Sequence, residues 1–201
     1  MRRRLFVPAA CLAAFTASRL AFGAEADPAQ AAAFVKQAGV DLAGVVSGAS
    51  SPADKEARLG AYMERVVDQD GVARFCLGRY WQVATPEQRT EYLRLFRKVL
   101  LRGVVNRLGD YQAGSVQVIV SKPVEKPDGT YVPTTVERPG NKPVDITWMV
   151  TANGAGLHIA DVVAEGISLR QTQRSDYASF LSRNGGDVGV LIAALRKQIG
   201  E

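Results

Sequence analysis

The chain has 201 residues, 47% of them hydrophobic, which is enough for one domain with a sizeable core. Residues 2–4 are arginines, residues 5–17 are mostly apolar and residues 21–24 are small or aromatic, an order typical of a cleaved secretory signal peptide. The apolar run is shorter than the roughly 20 residues that a permanent membrane anchor needs. Removing residues 1–23 takes away four of the 25 basic residues and none of the 20 acidic residues, so the net charge falls from +5 to +1. This balance disfavours a nucleic-acid-binding protein, which needs a concentrated basic field.

Few residues of this chain are suited to metal binding or redox chemistry. Cleavage near Gly23, or as second choice near Ala26, removes Cys11 and leaves Cys76 as the only cysteine, which excludes a disulfide-stabilised domain. His158 is the only histidine, so the usual nitrogen and sulfur ligands of zinc are too few. Glycine-rich phosphate-binding motifs are absent. We therefore expect no metal and no cofactor.

The first part of the mature chain, residues 28–110, is predicted to be helical. Ser51 precedes a proline at the first helical position, and residues 85–88 (Thr-Pro-Glu-Gln) form a capping box. The last of these helices has so wide an apolar arc that it must contact neighbours on two or three sides. The predicted helices are 28–46, 52–66, a short helix capped by Asp70, and 86–108.

From residue 114 the hydrophobic period changes from 3.6 to 2, which predicts strands up to residue 171. Turn sequences at 127–129 and 153–154 join successive strands, so the pairing is expected to be antiparallel. Residues 172–200 are predicted to be helical again, starting near Ser175. The predicted strands are 116–121, 131–138, 146–150, 157–164 and 166 to about 171.

These patterns predict a single α+β domain over residues 24–201. Its twisted antiparallel sheet has about four to five strands in a cone-shaped, NTF2-like arrangement, packed with N-terminal and C-terminal helices. Such a sheet can close around an apolar cavity, although the residue pattern alone favours a solid core.

The polar stretch 161–181 raises the question of catalysis. Ser168 lacks the nucleophile elbow of a hydrolase, and a triad would have to use the single histidine. An isomerase-like enzyme is the alternative that stays open: Asp145 or Asp161 would act as a base whose pKa is raised by desolvation in an apolar pocket. Nothing in the sequence requires either carboxylate to point inward, so we favour a protein that is not an enzyme.

Residues 66–108 carry a family signal, and residues 161–180 carry a second one. The matching elements are Val67-Asp68, Ala73-Arg74-Phe75, Leu77-Gly78-Arg79-Tyr80-Trp81, Ala84-Thr85-Pro86-Glu87-Gln88, Phe96 and Leu100, and then Asp161-Val162-Val163, Glu165-Gly166-Ile167-Ser168-Leu169, Arg174-Ser175 and Phe180. Together they resemble the MlaC or toluene-tolerance family of periplasmic phospholipid-binding proteins. The resemblance spans essentially the whole mature chain.

The resemblance implies a monomeric, non-enzymatic lipid carrier in the periplasm of a Gram-negative cell. It would move phospholipid between the outer-membrane MlaA–porin complex and the inner-membrane Mla ABC transporter, and so maintain outer-membrane lipid asymmetry. Binding acyl chains requires an apolar pocket and little polar chemistry, since each buried CH₂ contributes about 0.8 kcal/mol. A related subgroup is encoded with hopanoid-synthesis enzymes, so a hopanoid or another lipid is an alternative ligand.

We expect the pocket to be lined by apolar residues of both halves of the chain, with arginines near the head group or a partner protein. The predicted pocket residues are Phe75, Leu77, Trp81, Leu93, Phe96, Leu100, Val118, Val120, Ile146, Trp148, Val150, Ile159, Val163, Ile167, Leu169, Tyr177 and Phe180. The candidates for head-group or partner contacts are Arg79, Arg170 and Arg174.

Overall fold

The computed structural model describes residues 26–108, 117–137 and 140–201. The predicted signal peptide, and the predicted boundaries at 110 and 114, lie outside these ranges. The helices are α1 (Pro28–Ser47), α2 (Pro52–Val66), α3 (Gln69–Leu77), α4 (Tyr80–Val83), α5 (Pro86–Leu108), α6 (Leu169–Arg183) and α7 (Val188–Ile199). The strands are β1 (Gln117–Val120), β2 (Val124–Lys126), β3 (Gly129–Glu137), β4 (Val144–Asn153), β5 (Gly156–Ala164) and β6 (Ile167–Ser168).

The predicted α+β class is confirmed: helices precede and follow one antiparallel sheet with the strand order β1-β3-β4-β5-β6. The short strand β2, which the sequence did not predict, pairs with the other end of β3. Pro123 separates β1 from β2, because proline has no N–H to donate to a ladder. None of the helices in the described ranges combines the length and the apolar character that a bilayer crossing requires.

Local capping interactions fix the helix starts. Ser51 accepts a hydrogen bond from the Asp54 N–H at 3.1 Å, and Thr85 and Gln88 exchange hydrogen bonds of 3.2 and 3.0 Å as a capping box. The prediction that Asp70 caps the third helix is wrong. Asp68 caps α3 instead, because its own N–H donates to the Ile159 carbonyl of β5 and its carboxylate accepts from the Gly71 N–H.

A β-bulge in β5 sets which residues share a face of the sheet. Met149 of β4 pairs with Asp161, but the next residue of β4 pairs with Ile159, so Ala160 is an extra residue. Beyond the bulge, Trp148 pairs with Val162. Val163 therefore lies on the face of the sheet opposite to Ile159 and Val162. In a strand without a bulge, its even spacing from Ile159 would place the two residues on the same face.

The predicted helix start near Ser175 is also wrong. The strand ends at Ser168, whose hydroxyl accepts a hydrogen bond from the Gln171 N–H at 3.1 Å and caps α6. A two-residue turn with positive φ at Glu165 (51°) and Gly166 (79°) joins β5 to β6. The helix consequently begins six residues earlier than the sequence suggested.

The buried apolar residues form separate clusters. The first, named the helical core, joins α3 to α7 through Cys76, Leu77, Tyr80, Tyr92, Leu95, Phe96, Tyr177, Leu181, Leu191 and Leu195, among others. The second packs α1 on the sheet through Ala31, Val35, Val132 and Val150. The third, named the cleft cluster, joins α1, α2 and β5 through Ala38, Tyr62, Met63, Val66 and Ile159.

Candidate functional site

One face of the sheet is an almost continuous apolar surface. Side chains alternate between faces along each strand, and the cross-strand register brings those of one face together. This face contains Val118, Val120, Val132, Thr134, Val136, Val144, Ile146, Trp148, Val150, Ile159 and Val162. We call it the apolar face.

The polar atoms on the apolar face are already hydrogen-bonded within the protein. The Trp148 indole N–H donates to the Thr134 hydroxyl at 3.0 Å. That hydroxyl in turn donates to the Ile146 carbonyl at 2.9 Å. Because these groups have their partners, a ligand on this surface needs to offer only apolar contact.

Helices α1, α2 and α5 stand opposite the apolar face. Partly exposed side chains from these helices and from the sheet pack on the cleft cluster, namely Phe34, Leu42, Val45, Leu100, Leu101, Val104, Trp148 and Val162. Tyr62 of α2 donates its hydroxyl to the Ala38 carbonyl of α1 at 2.8 Å. Burial raises the pKa of Tyr62 to about 12, so the phenol stays neutral and the two helices stay joined.

Helix α5 is covered unevenly along its length. Tyr92, Leu95 and Phe96 in its first half are buried in the helical core. Leu101 and Val104 in its second half are as apolar but remain partly exposed, although they pack on the cleft cluster. Within the described residues, partly exposed apolar side chains of the helices and of the sheet therefore meet around the cleft cluster, and we call this region the apolar cleft.

The predicted pocket residues do not surround one cavity. Seven of them lie on the apolar face or pack on the cleft cluster: Leu100, Val118, Val120, Ile146, Trp148, Val150 and Ile159. Another seven lie in or against the helical core: Phe75, Leu77, Trp81, Leu93, Phe96, Tyr177 and Phe180. Of the other three, Val163 pairs with Thr147 on the opposite face, and Ile167 and Leu169 are 59% and 44% exposed.

The sequence interpretation missed the helical side of the cleft. The missed residues are Phe34, Leu42, Val45, Leu101 and Val104, together with Tyr62 and Val162. The sequence showed that α2 has an apolar stripe that must be buried, but it did not show which elements bury that stripe. Leu101 and Val104 belong to the wide apolar arc of α5, but the sequence does not show which part of that arc is buried by other elements.

The two candidate catalytic carboxylates lie on the face of the sheet opposite the cleft. Asp145 is exposed and accepts a hydrogen bond from the Thr135 hydroxyl at 2.8 Å. Asp161 is buried, but it accepts from the Ser168 hydroxyl at 2.5 Å and from the Arg170 N–H at 3.0 Å. Both groups are occupied within the protein, and neither is a desolvated base aimed into the apolar cleft.

The three candidate head-group arginines surround α3 and α4 and lie away from the cleft cluster. Arg170 binds Asp128 at 3.1 Å, lies 3.5 Å from Asp161 and stacks on the Phe75 ring. Arg174 stacks on the same ring and Arg79 stacks on the Tyr80 ring next to it in the chain. A role in head-group binding stays a prediction for all three.

An antiparallel sheet with one apolar face, covered by helices that leave a cleft, defines this chain as an α+β protein with an apolar cleft. The model of the family described as MlaC protein matches residues 44–197, which is more than half of the chain. The chain belongs to the MlaC family, as its sequence motifs predicted.

Two known proteins are similar to this chain. The toluene tolerance protein ttg2D of Pseudomonas putida is 27% identical over 135 residues, which are 65% of this chain and 60% of that relative. The match therefore spans less than two thirds of the relative's own length. A solved structure of a phospholipid-binding protein from Ralstonia solanacearum, in complex with a phospholipid, has a TM-score of 0.72 and 24% identity, and covers 88% of this chain and 100% of that chain. This likeness shows a shared fold.

Proposed function

We propose that the protein is a non-enzymatic phospholipid carrier that holds acyl chains in the apolar cleft. The observation that carries the proposal is the incomplete cover of α5, where Leu101 and Val104 face an apolar sheet surface and remain partly exposed. Membership in the MlaC family supports it, as does the shared fold with a protein solved in complex with a phospholipid.

The composition of the cleft suits acyl chains. Burying about ten methylene groups contributes about 8 kcal/mol before the costs of ordering are subtracted. Because the polar groups of Trp148 and Thr134 are bonded to each other, the acyl chains meet no unsatisfied donor or acceptor there. The head group then remains toward water, and its identity has little influence on affinity.

The proposed location is the periplasm, where the protein would pass lipid between the outer-membrane MlaA–porin complex and the inner-membrane Mla transporter. Structural contacts near the chain start support signal-peptide cleavage after Gly23 over cleavage after Ala26. Ala26 is 2% exposed, and its carbonyl accepts a hydrogen bond from the Thr130 hydroxyl at 2.6 Å. Cleavage after Ala26 would remove that contact. Intact-mass measurement of the exported protein tests this choice, and a chain starting at Asp27 would contradict it.

The lipid itself is the first thing to measure. The protein is purified without detergent from a Gram-negative host, its bound material is extracted with organic solvent, and the extract is analysed by mass spectrometry. We expect diacyl phospholipid in near-stoichiometric amount. A hopanoid would support the alternative ligand, and a folded protein with no lipid would contradict the carrier function.

A matched pair of variants locates the ligand. Val104→Glu places a carboxylate in the cleft, where an acyl chain would have to desolvate it. Val40→Glu makes the same change on α1 at a side chain that is 61% exposed. We expect the first variant to lose its lipid and the second to keep it, with both showing the helical and strand content of the wild type by circular dichroism.

A further inference from the structure

A group of arginines stacks on the aromatic rings of α3 and α4. The guanidinium carbons of Arg74 and Arg89 lie 5.5 and 5.3 Å from the Trp81 ring centroid. Arg79 lies 5.0 Å from the Tyr80 ring. Arg170 and Arg174 lie 4.4 and 4.8 Å from the Phe75 ring. We call this surface, made by five arginines and three aromatic residues, the arginine–aromatic face.

Apart from Asp128 and Asp161, which pair with Arg170, few carboxylates neutralise the arginine–aromatic face. Residues 71–86 and 166–175 contain no aspartate or glutamate. The single acidic residue of α3, Asp70, is bound to Arg97 of α5. In a chain with a net charge close to zero after residue 23, this concentrates positive charge on one surface.

Three exposed arginines of the face have no ion pair. Arg74, Arg79 and Arg174 are exposed, and none of them has a carboxylate partner in residues 26–108, 117–137 or 140–201. Some exposed arginines elsewhere are paired: Arg58 with Asp54, Arg65 with Asp41 and Arg97 with Asp70. Arg102, Arg107 and Arg183 are exposed and have no carboxylate partner among the described residues either, so the face is distinguished by how closely its unpaired arginines and aromatic rings are grouped.

The guanidinium groups of the face are held in place. Arg89 donates to the carbonyls of Trp81 and Gln82 at 2.9 and 3.2 Å. Gly78 has a φ of 59°, and a Cβ at this position would lie 3.4 Å from the Arg174 guanidinium. Arg174 therefore lies directly over the turn between α3 and α4. A guanidinium that already rests over a ring loses less conformational freedom when it binds a carboxylate.

We propose that the arginine–aromatic face is a docking surface for an acidic protein surface. Arg170 is already paired with Asp128 and Asp161, but the other four cations are also arginines, whose planar donors match carboxylates in fixed positions better than the mobile charges of a bilayer. Val83, which is 70% exposed beside Trp81 and Gln82, offers an apolar contact within the same surface. Exposed aliphatic and aromatic groups among arginines are typical of protein interfaces.

The position of the face also favours a protein partner over a membrane. Along α5, Arg89 and Val104 are separated by about 22 Å at 1.5 Å per residue. A bilayer that exchanged lipid with the cleft directly would have to approach the far end of this helix. A partner protein bound to the arginine–aromatic face leaves that end accessible.

Two triple variants with the same change in net charge test the proposal. One carries Arg74→Gln, Arg79→Gln and Arg174→Gln. The control carries Arg58→Gln, Arg65→Gln and Arg97→Gln. Binding of a fluorescein-labelled polyglutamate peptide is measured by fluorescence anisotropy at increasing salt concentration. A polylysine peptide is the control for the sign of the charge. Both variants are checked for fold by circular dichroism and for lipid content by extraction.

We expect the first triple variant to bind polyglutamate about tenfold or more weakly than wild type, and the control to bind like wild type. Lipid content should be unchanged in both, so the result does not depend on the proposed ligand. Equal losses in both variants, or no binding by the wild type, would overturn the proposal. It would also be overturned if the first variant lost binding to phosphatidylglycerol vesicles but kept binding to polyglutamate, which would show a membrane-binding surface.

Discussion

Replacing Asp161 by asparagine is expected to destabilise the fold and to leave the cleft intact. The Asp161 side chain is 3% exposed and lies on the face of the sheet opposite the cleft. Its carboxylate accepts hydrogen bonds from the Ser168 hydroxyl and the Arg170 N–H, and lies 3.5 Å from the Arg170 Nε. It therefore joins β5 to the first turn of α6.

The size of the expected loss of stability follows from the hydrogen-bond donors that lose their acceptor. An asparagine keeps one oxygen, but its NH₂ group then faces the Arg170 guanidinium, which can only donate, and the Ser168 hydroxyl, which loses the carboxylate that accepts its hydrogen bond. Losing a hydrogen bond to a charged group costs about 1.5–3 kcal/mol, and the Arg170 charge is then less well compensated. Asp128 remains bound to this arginine. We expect the free energy of unfolding to fall by about 2–4 kcal/mol.

Urea unfolding followed by tryptophan fluorescence measures this change. Asp145→Asn is the control, because Asp145 is an exposed carboxylate on the same face, and its replacement should shift stability by no more than about 0.5 kcal/mol. Wild-type stability in the Asp161→Asn variant would refute the structural role. Loss of turnover of a substrate at unchanged stability, in either variant, would instead support the isomerase-like enzyme.

Two further predictions concern groups with shifted pKa values. Hydrogen bonds, first from Arg94 and then from Arg196, lower the pKa of Glu91 from 4.5 to about 2. The stabilising effect of Glu91 is therefore present above pH 4.5 and is lost as the pH falls toward 2. Glu91→Gln should flatten the dependence of the urea midpoint on pH in this window, and parallel pH profiles of the variant and the wild type would contradict this role of Glu91. Burial raises the pKa of the Cys76 thiol to about 12, so the mature protein should react slowly with iodoacetamide at neutral pH until urea unfolds it; rapid labelling of the folded protein would show that the thiol is accessible.

Local signals made much of the fold predictable. The capping box at 85–88 and the proline after Ser51 act within a few residues, so they could be identified in the sequence alone. The turn sequences are also local signals, so the antiparallel pairing of the sheet could be predicted from them. The start of α6 had a local signal too, since Ser168 and Gln171 have capping-box spacing, but the alternating apolar residues Ile167 and Leu169 favoured a continued strand.

Features that depend on partners distant in the chain were not predictable. The bulge at Ala160 is set by pairing with β4, and it moves Val162 to the face of Trp148. Residue type shows that a side chain is apolar but not which cluster it joins. The predicted pocket therefore combined helical-core residues such as Phe96 with cleft residues such as Ile159.

Native mass spectrometry of the wild type beside Val104→Glu tests the central claim most directly, because it counts lipids on each folded molecule. The wild type should carry the added mass of a phospholipid. Val104→Glu should appear at the mass of the protein alone, while Val40→Glu keeps the lipid. A Val104→Glu variant that retains as much phospholipid as the wild type would show that the acyl chains do not lie between α5 and the apolar face.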